Sequence, residues 1–226
     1  MNPIAHIETP FKTKFGVPRQ AGLADYRALV VFEPEYRIPE AVRGLDEFDY
    51  IWLIWQFHLN NNDTNSSFKP TVRPPRLGGN KRVGVFATSS PFRPNALGLS
   101  SVRLLDVSLD PQRGPLLTVA GADLVDGTPI FDIKPYLPYA DSHPDARGGF
   151  ATTSPGPALS VADPEGRLRL LDDDLRRALV DTIALDPRPH YQDDPSRLYA
   201  ILFDRYEVKF RVAATTATIT SITPHS

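Results

Sequence analysis

Ser101-Val102-Arg103-Leu104-Leu105-Asp106-Val107-Ser108-Leu109, then Asp110-Pro111-Gln112-Arg113-Gly114, then Leu116-Leu117-Thr118-Val119-Ala120-Gly121-Ala122-Asp123-Leu124: this stretch decides the fold. Val102, Leu104 and Val107 sit among polar residues at roughly strand period, and a second apolar run follows. Between them stands a Pro and Gly turn, the punctuation of a hairpin. The same pattern recurs outward on both sides. Upstream, residues 4–8, 27–32 (closed by Glu33-Pro34), 50–58 and 82–88 read as strands, the third for its Trp and Ile content. Downstream, residues 129–133 close the series. No helix is expected between these runs, so the spacing predicts a mainly β fold, an antiparallel β-barrel over about residues 1–140.

The pattern changes near residue 139. Residues 139–157 are rich in Gly, Pro, Ser and Asp, lack periodicity and read as a linker. Beyond them one helix is expected. Asp172, Asp173 and Asp174 supply its N-cap and favourable charge, and Leu171, Leu175, Ala178, Leu179, Thr182 and Ile183 share a face. Asp186-Pro187-Arg188-Pro189 ends it. Three β-like runs follow, at 198–203, 207–212 and 217–222, giving a small α+β domain over about 150–226.

Bulk properties bound the function. The chain has 226 residues, 41% hydrophobic and 23% charged, an ordinary globular profile. Its 23 prolines imply short elements and ordered loops rather than a doubly wound α/β enzyme. With no cysteine, disulfides and thiolate chemistry are excluded. The N-terminus has no signal-peptide pattern and the longest apolar run is far too short for a bilayer, so a cytoplasmic protein without membrane contact is expected. The five histidines are scattered without metal-ligand spacing, so no metal is expected. No Rossmann, P-loop or nucleophile-elbow signature is present.

Five segments are candidates for chemistry. In residues 86–100, Pro91 and Pro94 fix two backbone angles and present Phe92, Arg93 and Asn95. The bland alternative is a rigid connector whose arginine meets a structural partner. Pro18-Arg19-Gln20 offers a fork beside a donor–acceptor amide, or a solvated turn. His58 and Leu59 end the aromatic strand ahead of Asn60-Asn61-Asn62, where a histidine is either a base or a structural hydrogen-bonder. Asp126-Gly127-Thr128-Pro129 suits a ribose hydroxyl or an ammonium group, and equally a plain hairpin turn. Lys69, Arg73, Arg76, Lys81 and Arg82 form a basic run without an acid, against a net charge of −2. It is a phosphate-contact candidate or a solvated face.

Taken together and in order, Pro18-Arg19-Gln20, Phe57-His58, Phe86-Ala87-Thr88…Ser90-Pro91-Phe92-Arg93-Pro94-Asn95 and Asp126-Gly127-Thr128-Pro129…Asp132-Ile133-Lys134-Pro135-Tyr136 resemble the TsaA/TrmO family. The tail resembles the extended members through Asp186-Pro187-Arg188-Pro189…Tyr191 and Tyr206-Glu207-Val208-Lys209-Phe210. The resemblance implies a β-barrel methyltransferase using S-adenosyl-L-methionine, a homodimer with the cofactor near the subunit contact, and a tRNA substrate. The reaction implied is methylation of N6 of threonylcarbamoyl-adenosine beside the anticodon of threonine tRNA.

Carried over by motif, Pro18, Arg19, Gln20, His58, Leu59, Ser89, Leu99, Asp126, Gly127, Thr128 and Pro129 would bind the cofactor. Arg93, Asn95 and Asp126 would be catalytic. Lys69, Arg73, Lys81, Arg82, Lys134, Tyr136, Arg188 and Lys209 would bind the substrate, Arg188 through either tRNA phosphate or the threonyl carboxylate. Asp126 and His58 are the candidate bases, and a site without a side-chain base is the alternative. The chain departs from the family pattern at three places. Ser89 replaces an arginine, so Arg93 or Lys81 is expected to supply that charge. Ala96 replaces a proline, read as a minor change, and Asp49-Tyr50 replaces a Ser-His pair. The competing function is a non-catalytic adaptor barrel that binds S-adenosylmethionine or RNA.

Overall fold

The computed structural model describes residues 1–60, 68–189 and 194–225. Asn61, Asn62 and Tyr191 therefore lie outside the described residues. In chain order the strands are β1 (Ala5–Glu8), β2 (Arg27–Phe32), β3 (Tyr50–Gln56), β4 (Thr71–Val72), β5 (Val83–Gly84), β6 (Leu97–Asp110), β7 (Gly114–Ala120) and β8 (Thr128–Pro135). Then come α1 (Pro138–Asp141), β9 (Ser160–Ala162), α2 (Asp173–Ala184), β10 (Tyr199–Phe203), β11 (Tyr206–Ala213) and β12 (Thr216–Pro224).

Six strands close a barrel in the order β1-β2-β7-β6-β3-β8, every pair antiparallel. Period-two alternation fills it. Ile51, Leu53 and Trp55 of β3 are buried, as are Val102 and Leu104 of β6 and Leu117 and Val119 of β7. Register shifts beside Ile54/Trp55 and Leu104/Asp106 bend the long strands, as closure of a small barrel requires. The β6–β7 hairpin turns where expected, with Asp110 accepting from the backbone N–H groups of Gln112 and Arg113, both at 2.8 Å. β7 stops at Ala120 because Gly121 takes a φ of 70°.

A second sheet, β10-β11-β12-β9, carries α2 and packs against the barrel. Asp172 caps α2 by accepting from the Leu175 N–H at 2.9 Å. Ala178, Leu179, Thr182 and Ile183 form its buried face. Phe11 joins the two sheets. It bridges Phe203 and stacks edge-on against both Tyr26 and Phe203. Among the described residues no helix is long and apolar enough to cross a membrane.

Two expectations change. The strand expected at 82–88 is only the two-residue β5, followed by a 3-10 turn at Val85–Ala87. Thr88 turns the chain by donating its N–H and its hydroxyl to the Val85 carbonyl. The expected linker after 139 is partly structured. Asp141 of α1 accepts from the Trp52 indole at 2.9 Å, and Arg76 donates to the Thr153 carbonyl at 2.6 Å.

Candidate active site

Four of the sequence segments meet at one end of the barrel, where β3 finishes, β6 begins and β8 begins. The Phe57 N–H donates to the Ala96 carbonyl at 2.8 Å, tying the end of β3 to the end of the proline-clamped loop. Asn60 donates to the Pro91 carbonyl at 2.9 Å, a second tie between the same segments. His58 Nδ1 lies 3.3 Å from the Thr128 hydroxyl, joining the β3 end to the 126–129 turn. Lys14 donates to the Leu59 carbonyl at 2.9 Å, so the loop leading to Pro18 arrives at the same place.

The Thr128 hydroxyl has one proton and a closer partner for it, the Val125 carbonyl at 2.6 Å. His58 Nδ1 is therefore the donor in the contact with Thr128, and Nε2 carries the lone pair. Burial pulls the His58 pKa below its usual value, with a backbone contact to Gln56 opposing it. The shift favours the neutral imidazole, in which Nε2 is the acceptor. Asp126, the other candidate base, is already engaged. Its Oδ1 accepts from the Thr9 N–H at 2.9 Å and its Oδ2 from Lys12 at 2.8 Å.

Arg93 is half-buried and its NH1 donates to the Thr88 carbonyl at 2.6 Å and the Val85 carbonyl at 3.3 Å. Its guanidinium also lies 5.8 Å from the Phe86 ring centre. That fixes a positive charge one residue from exposed Ser89, where the resemblance implies an arginine. Asn95 and Leu99 are exposed on the same loop and strand. Ala96 adopts a φ of 49°, which a proline ring cannot reach, so the replacement at this position is more than minor.

Other expected residues lie elsewhere. Lys134 and Tyr136 are at the far end of β8, roughly 20 Å along the strand from Thr128 at ~3.3 Å per residue. Tyr136 there packs against Tyr50 and Trp52. Lys69, Arg73, Lys81 and Arg82 are exposed on and around the β4–β5 hairpin, with Arg82 donating to Thr71 at 3.0 Å. Lys209, on β11, is paired with Glu207 at 2.6 Å. Arg188 spends its fork on Asp186, at 2.7 and 2.8 Å, and that partner raises its pKa. This geometry does not leave the fork facing a substrate carboxylate. Arg19 extends to the carbonyls of Asp186 and Arg188, at 3.3 and 3.4 Å. It thereby links the 18–20 loop to the segment after α2. Pro18 is buried and Gln20 exposed. A cleft of about 180 Å³ lies along this seam, lined by Lys14, Phe15, Pro18, Arg19, Thr182 and Asp186 among others.

Sequence reading missed the partners that hold the site: Thr9 and Lys12 for Asp126, and the buried contacts of Asp123. The available signal was a carboxylate set directly between Ala122 and Leu124, both of which are buried.

The relationships of the chain agree with this geometry. The family model described as the tRNA-methyltransferase O N-terminal domain matches residues 6–142, and that of the TrmO C-terminal domain matches residues 163–225. A tRNA (adenine(37)-N6)-methyltransferase of Escherichia coli K12 is 41% identical over 219 residues, covering 92% of this chain and 91% of its own. A protein of the same name from Eikenella corrodens is 45% identical over 175 residues, covering 77% of this chain and 97% of its own. A crystal structure of TrmO from Pseudomonas aeruginosa superposes with a TM-score of 0.77 at 32% identity, over 98% of this chain and 95% of that one. With both family models in order along one continuous fold, the chain belongs to the tRNA-methyltransferase O family.

Proposed function

We propose that the chain is an S-adenosylmethionine-dependent tRNA (adenine-N6)-methyltransferase acting on position 37. The finer substrate is N6 of threonylcarbamoyl-adenosine, with threonine tRNA as the preferred species. The observation that carries the reading is the convergence of residues 14–20, 57–60, 91–99 and 126–129 on one barrel end.

The residues there fit the cofactor. Leu59 and Leu99 are exposed apolar side chains that can flank a purine. Gly127, at a φ of 72°, has nothing within 4 Å of where a Cβ would stand, so the backbone there can be approached closely. Gln20 adds a donor and an acceptor. When bound, the cofactor supplies a methyl group on a sulfonium, a leaving group that needs alignment more than activation.

The protein's own part concerns the nucleophile. N6 of a carbamoylated adenosine is delocalised into ring and urea and must lose its proton before or during attack. His58 Nε2 is an available acceptor in a neutral ring oriented by Thr128. Asp126, held by Lys12 and Thr9, serves to shape the turn. Arg93 keeps the charge that Ser89 lacks, and Asn95 stands beside it. Lys69, Arg73, Lys81 and Arg82 form the tRNA-facing surface. Arg188 and Lys209 are engaged by Asp186 and Glu207, so their contribution to tRNA binding would require releasing those carboxylates. Lys134 and Tyr136, at the far barrel end, would meet a different part of the tRNA or none.

We take residues 1–140 as the cofactor-binding and catalytic part, 150–226 as the tRNA-recognition part, and a cytoplasmic homodimer as the working form. Exposed Phe86 and Phe92 on the loop, with Leu99 beside them, suit burial against a second copy. The test is transfer of labelled methyl to tRNA from a strain lacking this modification, followed by nucleoside mass spectrometry. A methylated threonylcarbamoyl-adenosine is expected, and Arg93→Ala should reduce it severely. Cofactor binding with no transfer to any tRNA would favour the adaptor reading.

A further inference from the structure

Asp123 stands in the connection between β7 and β8, three residues before Asp126. The Ser100 hydroxyl donates to its Oδ1 at 2.5 Å, and Ser100 Oγ in turn accepts from the Trp55 indole N–H at 2.9 Å. The backbone N–H of Ala21 lies close enough to the carboxylate to favour its charged form. Ser100 and Trp55 are buried, and burial raises the carboxyl pKa above the usual carboxylate range. Neighbouring contacts reinforce the junction. The Gly22 N–H donates to the Gly121 carbonyl at 2.8 Å, and the Tyr26 hydroxyl donates to the Ala122 carbonyl.

Each partner belongs to a different segment of the site. Ala21 follows Gln20 directly. Ser100 follows Leu99 directly. Trp55 lies on the strand that runs on to His58. Asp123 itself leads into the 126–129 turn. The carboxylate is hydrogen-bonded to Ser100, linked through it to Trp55 and set beside Ala21, so this one junction lies behind all four segments.

We propose that Asp123 is a positioning residue, whose carboxylate sets the relative placement of the 18–20 loop, Leu99, the β3 end and the 126–129 turn around the cofactor. This rests on the cofactor reading of those segments. Groups that orient the ligands of a metal cost about 10- to 100-fold in affinity when altered, although they do not touch it, and the low end of that range is expected of a buried carboxyl acting on these segments. In Asp123→Asn the amide can accept from Ser100 through its oxygen, but its NH2 group only donates, so the junction loses one of its two accepting oxygens.

The test is calorimetric titration of the full chain with S-adenosylhomocysteine, alongside tRNA affinity and thermal unfolding. Asp123→Asn and Ser100→Ala should weaken cofactor-product binding by about tenfold and raise the cofactor KM more than they lower kcat. Their tRNA affinity should stay at the parent value, and Asp106→Asn, on the exposed part of β6, should change nothing. A folded Asp123→Asn chain with parental affinity for S-adenosylhomocysteine would overturn the proposal. So would losses of cofactor and tRNA affinity in equal measure, which would make the residue merely structural. If Asp123→Asn fails to fold, Ser100→Ala decides by the same criteria. Failure of the unaltered chain to bind S-adenosylhomocysteine would instead sink the cofactor reading, and the proposal with it.

Discussion

Gly98 shows how single atoms hold the site. A Cβ at this position would stand 2.3 Å from Cε2 of Trp55, so the indole lies flat across the β6 backbone where only glycine permits it. That placement lets the indole N–H reach Ser100, two residues further along β6. Gly98→Ala must push the ring away, which overpacks the barrel and strands a buried donor. The expected cost is about 2–3 kcal/mol in urea unfolding. The same variant should weaken cofactor binding, because Trp55, Ser100 and Asp123 move as a unit. An unfolding midpoint equal to that of the parent would mean the ring has room to shift. The sequence contained this glycine in plain view but not its neighbour. Trp55 and Gly98 meet only through strand register, which no local pattern specifies.

At the scale of elements, the barrel strands were legible and the short pieces were not. β3 and the first part of β6 announce themselves by alternation, β2 and β7 by short apolar runs, and the β6–β7 hairpin by the turn at 110–114. Residues 82–88 carry the same alternation, with Val83 and Val85 apolar, yet the chain turns at Val85. The turn is made by Thr88 and Arg93, which reach back to the Val85 carbonyl, a contact invisible to periodicity. β9 escaped notice because its three residues pair in parallel with β12, far along the chain. The site motifs were legible through their order, whereas their supports were not. Asp123 finds its partner in Ser100, on β6, far from it along the chain. The β4–β5 hairpin carries the prediction proper to this scale. Lys81 and Arg82 are exposed there with Lys69 and Arg73 close by in the chain. Each phosphate contact contributes a salt slope of about 0.9 on duplex and about 0.7 on single-stranded regions. Changing Lys81 and Arg82 to Ala should therefore flatten the log–log salt dependence of tRNA binding by about 1.5. An unchanged slope would assign the hairpin to solvent.

For the whole molecule the question is whether barrel and second sheet fold as one. Charge contacts between them lie at the surface: Arg27 and Asp174 approach to 3.8 Å with both exposed, and the charge of Asp186 acts on exposed Arg19. Apolar contact offers more. The core runs without a break from Ile7 and Leu53 through Phe11 to Phe203, Phe210 and Leu179. Phe11 and Phe203 are fully buried and lie edge to face at 5.4 Å. Backbone bonds flank them, from the Lys12 N–H to the Leu202 carbonyl and from the Asp204 N–H to the Pro10 carbonyl. A seam built this way couples the two parts strongly, even if cofactor and tRNA recognition are divided between them. Two signals separate the parts cleanly. The chain has two tryptophans, Trp52 and Trp55, both on β3, so fluorescence reports the barrel. The longest helix is α2, on the second sheet's side, so helical circular dichroism reports that part. The two urea transitions should coincide. Phe203→Ala removes the aromatic face that Phe11 packs on, at an expected cost of about 3–5 kcal/mol, and it should lower both midpoints together. If it lowers the helical midpoint alone, the seam is an interface between two independent folds, and cofactor binding would survive in the barrel without its partner.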